Sequence, residues 1–121
     1  MLRIGVDLMD VPRIARAMER YGDKFYARFF TEHERSQCEG QPARLAARFA
    51  AKEATAKALG TGIGDVRWVD IEIDSDDRRR PILKLHGNAA RIAAELGLTV
   101  WDVSLSHTHE HAIAFVVAMS S

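Results

Sequence analysis

Residues 48–57 read RFAAKEATAK, the middle of an alanine-rich run that Pro42 introduces and Gly60 ends, so this part of the chain is committed to one helix from about Ala43 to Leu59. A helix turns about 100° per residue, which puts Ala46, Phe49, Ala50, Glu53 and Lys57 on one arc of roughly 100°, with Glu53 near its middle. Arg48 and Lys52 fall on another arc. Taken alone, Glu53 and Lys57 are an exposed i,i+4 pair that contributes only ~0.3–0.5 kcal/mol. Taken as a carboxylate among packed apolar side chains, Glu53 costs on the order of several kcal/mol unless a cation lies beside it. Lys57 supplies part of that charge, and a divalent metal supplies more if a second carboxylate converges on it.

Asp7 is the candidate second carboxylate. In LRIGVDL, alternation sets Leu2, Ile4, Val6 and Leu8 on one face of a half-buried strand and Arg3, Gly5 and Asp7 on the other. Asp7 therefore faces away from the apolar row, and Gly5 beside it leaves that face open. Hard oxygen ligands favour magnesium, which keeps several waters and leans on one or two carboxylates plus substrate phosphates.

Around these two segments the chain reads as one α+β domain spanning residues 1–121, a small antiparallel sheet with packed helices. Asp10 and Pro12 open a helix that runs to about Tyr21 and stops at Gly22. Thr31 and Glu34 form a capping-box pattern that starts a short helix towards Cys38. The glycines of GTGIG, residues 60–64, suit a tight turn or an approach of backbone amides to an anion. WVDIEID (68–74) and ILKLH (82–86) read as strands, NAARIAAEL (88–96) as a helix closed by Gly97, and TVWDVSLSH with HAIAFVVAM as a terminal hairpin around Thr108–Glu110.

Composition narrows the partners. Seventeen basic residues balance seventeen acidic ones, so there is no overall electrostatic case for nucleic acid. The longest plainly apolar run, Ala112–Met119, is far short of the ~20 residues that span a bilayer. A lone cysteine, Cys38, excludes an intrachain disulfide and reads as a buried, inert thiol in a reducing compartment. The expectation is a cytoplasmic protein that binds neither membrane nor nucleic acid.

IGVD at the start, RFAAKEATAKALGTGIG in the middle and VSLSHT near the end, with FFTEHE, WVDIEI and AIAFVV between and after them, resemble in order and spacing the holo-acyl-carrier-protein synthase family of 4′-phosphopantetheinyl transferases. The resemblance covers nearly the whole chain and matches the short bacterial branch. It implies the fold of that family and transfer of 4′-phosphopantetheine from coenzyme A to a serine of apo-acyl-carrier protein, with release of adenosine 3′,5′-bisphosphate. It also implies magnesium (Mg2+) as cofactor and a homotrimer with sites near the subunit interfaces. Carried over by position, Asp7 and Glu53 are the metal carboxylates, and Lys57 lies by the pyrophosphate as a candidate for proton transfer or charge neutralisation. Arg48, Lys52 and the turn Gly60-Thr61-Gly62 line the nucleotide site, and His107 lies near the coenzyme A phosphates. Relatives carry glycine where this chain has Arg79, which predicts a different turn there, since a side chain resists positive φ.

Two patterns carry rival readings. Arg13, Arg16 and Arg20 cluster within roughly 60° on the first helix. As a charge stripe this is a solvated face; under the resemblance, with Arg28, it is the surface that docks acidic acyl-carrier protein. A non-catalytic module of the same fold would dock that partner and transfer nothing. HTHEH offers His107, His109 and His111 to a metallohydrolase, but the spacing is no standard zinc signature and a turn there breaks the alternation. Trp68 and Trp101 read as packing residues.

Overall fold

The computed structural model describes residues 1–121. Strand β1 (Leu2–Asp10) lies beside β5 (His111–Met119), which also pairs with β4 (Val100–His107), giving an antiparallel sheet of order β1-β5-β4. Helices α1 (Val11–Tyr21), α2 (Asp23–Phe29) and α3 (Glu32–Cys38) follow β1, and α4 (Pro42–Leu59) crosses the sheet. A 3-10 turn (Trp68–Asp70), the hairpin β2 (Ile71–Ser75) with β3 (Pro81–Leu85), and α5 (Gly87–Leu96) complete the chain before β4. No helix is long and apolar enough to cross a membrane.

The core forms where α4 meets the sheet, and small residues on both sides make that possible. From the helix come Ala46, Ala47, Ala50, Ala51, Ala54 and Ala58; from the sheet come Ala112, Ala114, Val116 and Ala118, all buried. Gly5 is required at the crossing, because a Cβ there would lie 1.8 Å from the Ala54 carbonyl oxygen. The expectation that Gly5 leaves its face open is therefore corrected: it lets the α4 backbone close on β1. The buried row of β1 is consequently the one holding Gly5 and Met9, while Leu2, Ile4, Val6 and Leu8 are 66%, 60%, 46% and 62% exposed. Ile113, Phe115 and Met119 extend that open apolar row onto β5, opposite Leu8, Val6 and Leu2.

Most boundaries follow their punctuation. The Thr31–Glu34 capping box is present with both of its hydrogen bonds, and Gly60 and Gly97 end their helices in the left-handed conformation. Helix α2, unmarked by any pattern, is held by aromatic contacts of Phe25 with Phe29 and Phe30, at centroid distances of 5.3 and 5.6 Å. Trp68–Asp70 is a turn rather than the start of a strand. Asp70 accepts from the Arg67 amide through its side chain and from the His86 amide through its carbonyl, which bends the segment before β2. Burial raises the Cys38 thiol to about 11, so it is inert at neutral pH.

The loop between β2 and β3 holds Arg79 at a positive φ of 64°, a conformation that a side chain resists. A side chain in that region costs ~1–2 kcal/mol, partly offset by the freedom a glycine loses on folding. Arg79→Gly is expected to stabilise the fold by about 0.5–1 kcal/mol, read as a higher urea midpoint at unchanged m-value.

Candidate active site between the first strand and the long helix

The close approach of α4 at Gly5 sets the site. Two residues further along the same row of β1, Asp7 meets the C-terminal half of the helix. The Lys57 ammonium donates to the Val6 carbonyl at 2.9 Å and lies 3.3 Å from Asp7 Oδ1. Glu53, one turn before Lys57, has its carboxyl raised above the ordinary range, first by burial and next by the negative charge of Asp7; Lys57 and Arg13 oppose the shift. Asp7, Glu53, Lys57 and Arg13 thus form one electrostatic cluster built from β1, α4 and α1.

Two carboxylates that repel one another, one of them partly desolvated, make a place for a cation. The set fits magnesium: oxygen donors only, two from the chain, with positions left for waters and substrate oxygens. No three His, Cys, Asp or Glu side chains converge as a metal-binding cluster, those of HTHEH included. His107 ends β4, His109 lies in the turn, and His111 begins β5 opposite Asp10.

From Glu53 a groove of about 1230 Å³ opens along α1 and α2. Arg13, Arg16, Arg20 and Arg28 all line it, joined by Lys24, against only Glu19 and Glu53. Phe29, Phe49 and Trp68 also line it, with Phe49 and Trp68 at a centroid distance of 4.5 Å. The groove is basic with an aromatic patch, a combination suited to an acidic surface that carries apolar side chains.

The remaining candidates lie apart from this groove. Gly60 and Gly62, with φ of 79° and 70°, form the turn after α4, and Thr61 Oγ1 within it is buried without a hydrogen-bond partner. His107 is exposed and shares a cross-strand row with Ala112 and Met9.

Lys52 requires a correction. It is fully buried, and its ammonium donates to Glu34 Oε1 at 2.8 Å and to the carbonyls of Trp68 and Ile71. It has no donor left for a nucleotide. Arg48 is 6% exposed and donates through Nε to the Ile73 carbonyl and through Nη2 to Gln37 and Ser75. Both residues hold α4 to α3 and β2. Sequence reasoning missed Glu34 as the partner of Lys52, although the capping box had singled it out; it accepts from the amides of Thr31 and Ile73 as well.

The chain as a whole is similar to known proteins. A family model described as the 4′-phosphopantetheinyl transferase superfamily matches residues 3–116. A relative from Herpetosiphon aurantiacus, named holo-[acyl-carrier-protein] synthase, is 48% identical, with 98% of this chain and 99% of the relative covered. The crystal structure of the Helicobacter pylori holo-[acyl-carrier-protein] synthase in complex with coenzyme A superposes with a TM-score of 0.88 at 32% identity, covering 96% of this chain and 99% of that one. The Bacillus anthracis holo-(acyl-carrier-protein) synthase, in complex with CoA (3′,5′-ADP), gives a TM-score of 0.80 at 39% identity, covering 98% and 96%.

Proposed function

Because the chain belongs to the 4′-phosphopantetheinyl transferase superfamily, we infer that it transfers 4′-phosphopantetheine from coenzyme A to a serine of apo-acyl-carrier protein, the reaction of a holo-[acyl-carrier-protein] synthase. The observation that carries this reading is the meeting of Asp7, Glu53 and Lys57 at the mouth of an arginine-lined groove. In the transfer, the serine Oγ forms a bond to the β-phosphorus of coenzyme A and the bond from that phosphorus to the bridging oxygen breaks. Adenosine 3′,5′-bisphosphate leaves with that electron pair.

Asp7 and Glu53 are the residues that would hold magnesium. Bound there, the ion supplies charge neutralisation and polarisation of phosphoryl oxygens. Lys57, half-exposed and anchored by the Val6 carbonyl, points its ammonium at the same place and adds positive charge for the leaving oxygens. Glu53 also lines the groove, which places its carboxylate where the serine's proton would be released. No protein nucleophile is needed.

Arg13, Arg16, Arg20 and Arg28 dock the carrier protein, whose acidic surface they complement. Arg28→Glu is expected to raise KM for carrier protein by roughly tenfold and leave KM for coenzyme A unchanged, and wild-type KM for the carrier should climb with salt. The homotrimer belongs to the same reading. The open apolar row of β1 and β5 is a surface that monomers seldom leave uncovered, and light scattering should return three times the 13.5 kDa chain mass. A cytoplasmic setting accords with the single buried thiol.

The decisive assay is mass spectrometry of apo-carrier protein incubated with coenzyme A, magnesium and this chain. An added phosphopantetheine mass is the expected result, whereas a non-catalytic module leaves the carrier unchanged.

A further inference from the structure

Helix α1 carries one carboxylate into a groove otherwise lined by cations. Arg13, Arg16, Arg20, Lys24 and Arg28 line that groove, and Glu53 at its end belongs to the reacting cluster, which leaves Glu19 as the one acid beside them. With about 100° of turn per residue, Glu19 lies about 60° from Arg16, on the side away from Ile14 and Tyr21. It marks one rim of the arginine stripe, and its side chain is exposed.

Nothing inside the chain accounts for a carboxylate at this position. Glu19 falls in the last turn of α1, where the helix dipole disfavours an anion. It joins none of the nine ion pairs of the chain, although Arg16 stands three residues before it and Arg20 directly after it. The five cations of the groove are equally free of ion pairs, so the whole surface faces outward with its charges uncommitted. Towards a partner that is acidic over its entire face, Glu19 only weakens the attraction. A partner that interrupts its acids with one base reverses the sign. There Glu19 gains an ion pair, and a wholly acidic competitor meets a like charge at the same point.

Resting on the carrier-docking reading above, we propose that Glu19 is a specificity residue: it favours carrier proteins that present a lysine or arginine at the edge of their acidic face and rejects carriers that are acidic throughout. The arginines supply an attraction common to both classes, and Glu19 supplies the difference between them.

A charge-swap cycle tests this. Each surface lysine and arginine of one apo-carrier protein is changed singly to glutamate, and kcat/KM for transfer is measured with wild type, Glu19→Gln and Glu19→Lys at low and high salt. With wild type, one carrier variant should lose roughly 5- to 10-fold in kcat/KM, the scale of a rim ion pair turned into a like-charge contact, and salt should shrink that loss. With Glu19→Gln the same carrier variant should lose less than about twofold, and Glu19→Lys should prefer it to the unaltered carrier. KM for coenzyme A should stay the same in every combination. A purely structural role would shift Tm and leave the ratio between carriers where it was. If the ratio of wild type to Glu19→Gln is the same for every carrier variant, the proposal is overturned, and that includes the case in which Glu19→Gln speeds all of them alike. Should Glu19→Lys fail to fold, the ratio in Glu19→Gln decides alone. Arg28→Glu separates this from the docking reading. An unchanged KM for carrier protein there overturns the docking groove itself, whereas a raised KM together with an unaltered carrier ratio overturns only the role of Glu19.

Discussion

Replacing Glu53 by alanine is expected to lower kcat for phosphopantetheine transfer by about 10³-fold or more, and Asp7→Ala by a similar factor, because under the proposed assignment each would remove half of the protein's grip on a cation at the reacting phosphate. A factor of that size corresponds to roughly 4 kcal/mol of transition-state stabilisation, within the range of electrostatic contributions in phosphoryl transfer. Glu53→Gln is the more informative change. It keeps the shape of the side chain and removes only the charge, so activity should fall about as far as in the alanine variant. Its stability should move the other way. Burial and the Asp7 charge raise the Glu53 carboxyl, so the folded state holds this proton more tightly than the unfolded chain does. The ionised carboxylate therefore opposes folding once pH rises through the raised value, and the opposition vanishes below the ordinary glutamate range. In magnesium-free buffer, Glu53→Gln should melt above wild type at neutral pH, and the gap should close towards pH 4. Adding magnesium should raise the wild-type Tm and leave that of Glu53→Gln nearly still. Full turnover by Glu53→Gln would overturn the assignment of the metal carboxylates.

The contrast between α4 and β1 explains how much of this was legible in the chain. The bounds of α4 are written locally, in Pro42 and Gly60, and the helix begins and ends there. The alternation of β1 is equally plain, but alternation does not say which row turns inward. The row of Leu2, Ile4, Val6 and Leu8 is the more hydrophobic, yet the inward row is the one with Gly5, chosen because only a glycine admits the Ala54 backbone. That choice depends on a residue far away in sequence. Asp7 and Glu53 could be singled out by residue type, while their proximity follows from the same crossing. Lys52 shows the converse. The resemblance set it beside the nucleotide, and only the fold reveals a carboxylate and two carbonyls surrounding it.

That buried contact supports the second large effect, on folding rather than catalysis. Lys52 and Glu34 have side chains with 0% exposure each, and together they tie α3, α4 and β2 into one unit next to Glu53. Removing one member of such a pair leaves the other charge in the core, a loss of about 3–5 kcal/mol, which is a large share of the 5–15 kcal/mol that a domain commonly has. Lys52→Met should therefore shift the urea midpoint far down, and its residual activity should scale with the fraction folded. Glu34→Gln should show a pH signature as well. With the carboxylate gone, Lys52 loses the partner that opposes the effect of burial, and burial already lowers its proton affinity. A lysine whose folded value lies below its unfolded one gives up a proton on folding, so stability grows as pH rises through that interval. Glu34→Gln should be strongly destabilised at pH 7 and recover towards pH 10, an alkaline rescue steeper than any in wild type. A flat profile would mean that Lys52 reaches water in the variant and that the buried pair is not what holds α4 in place.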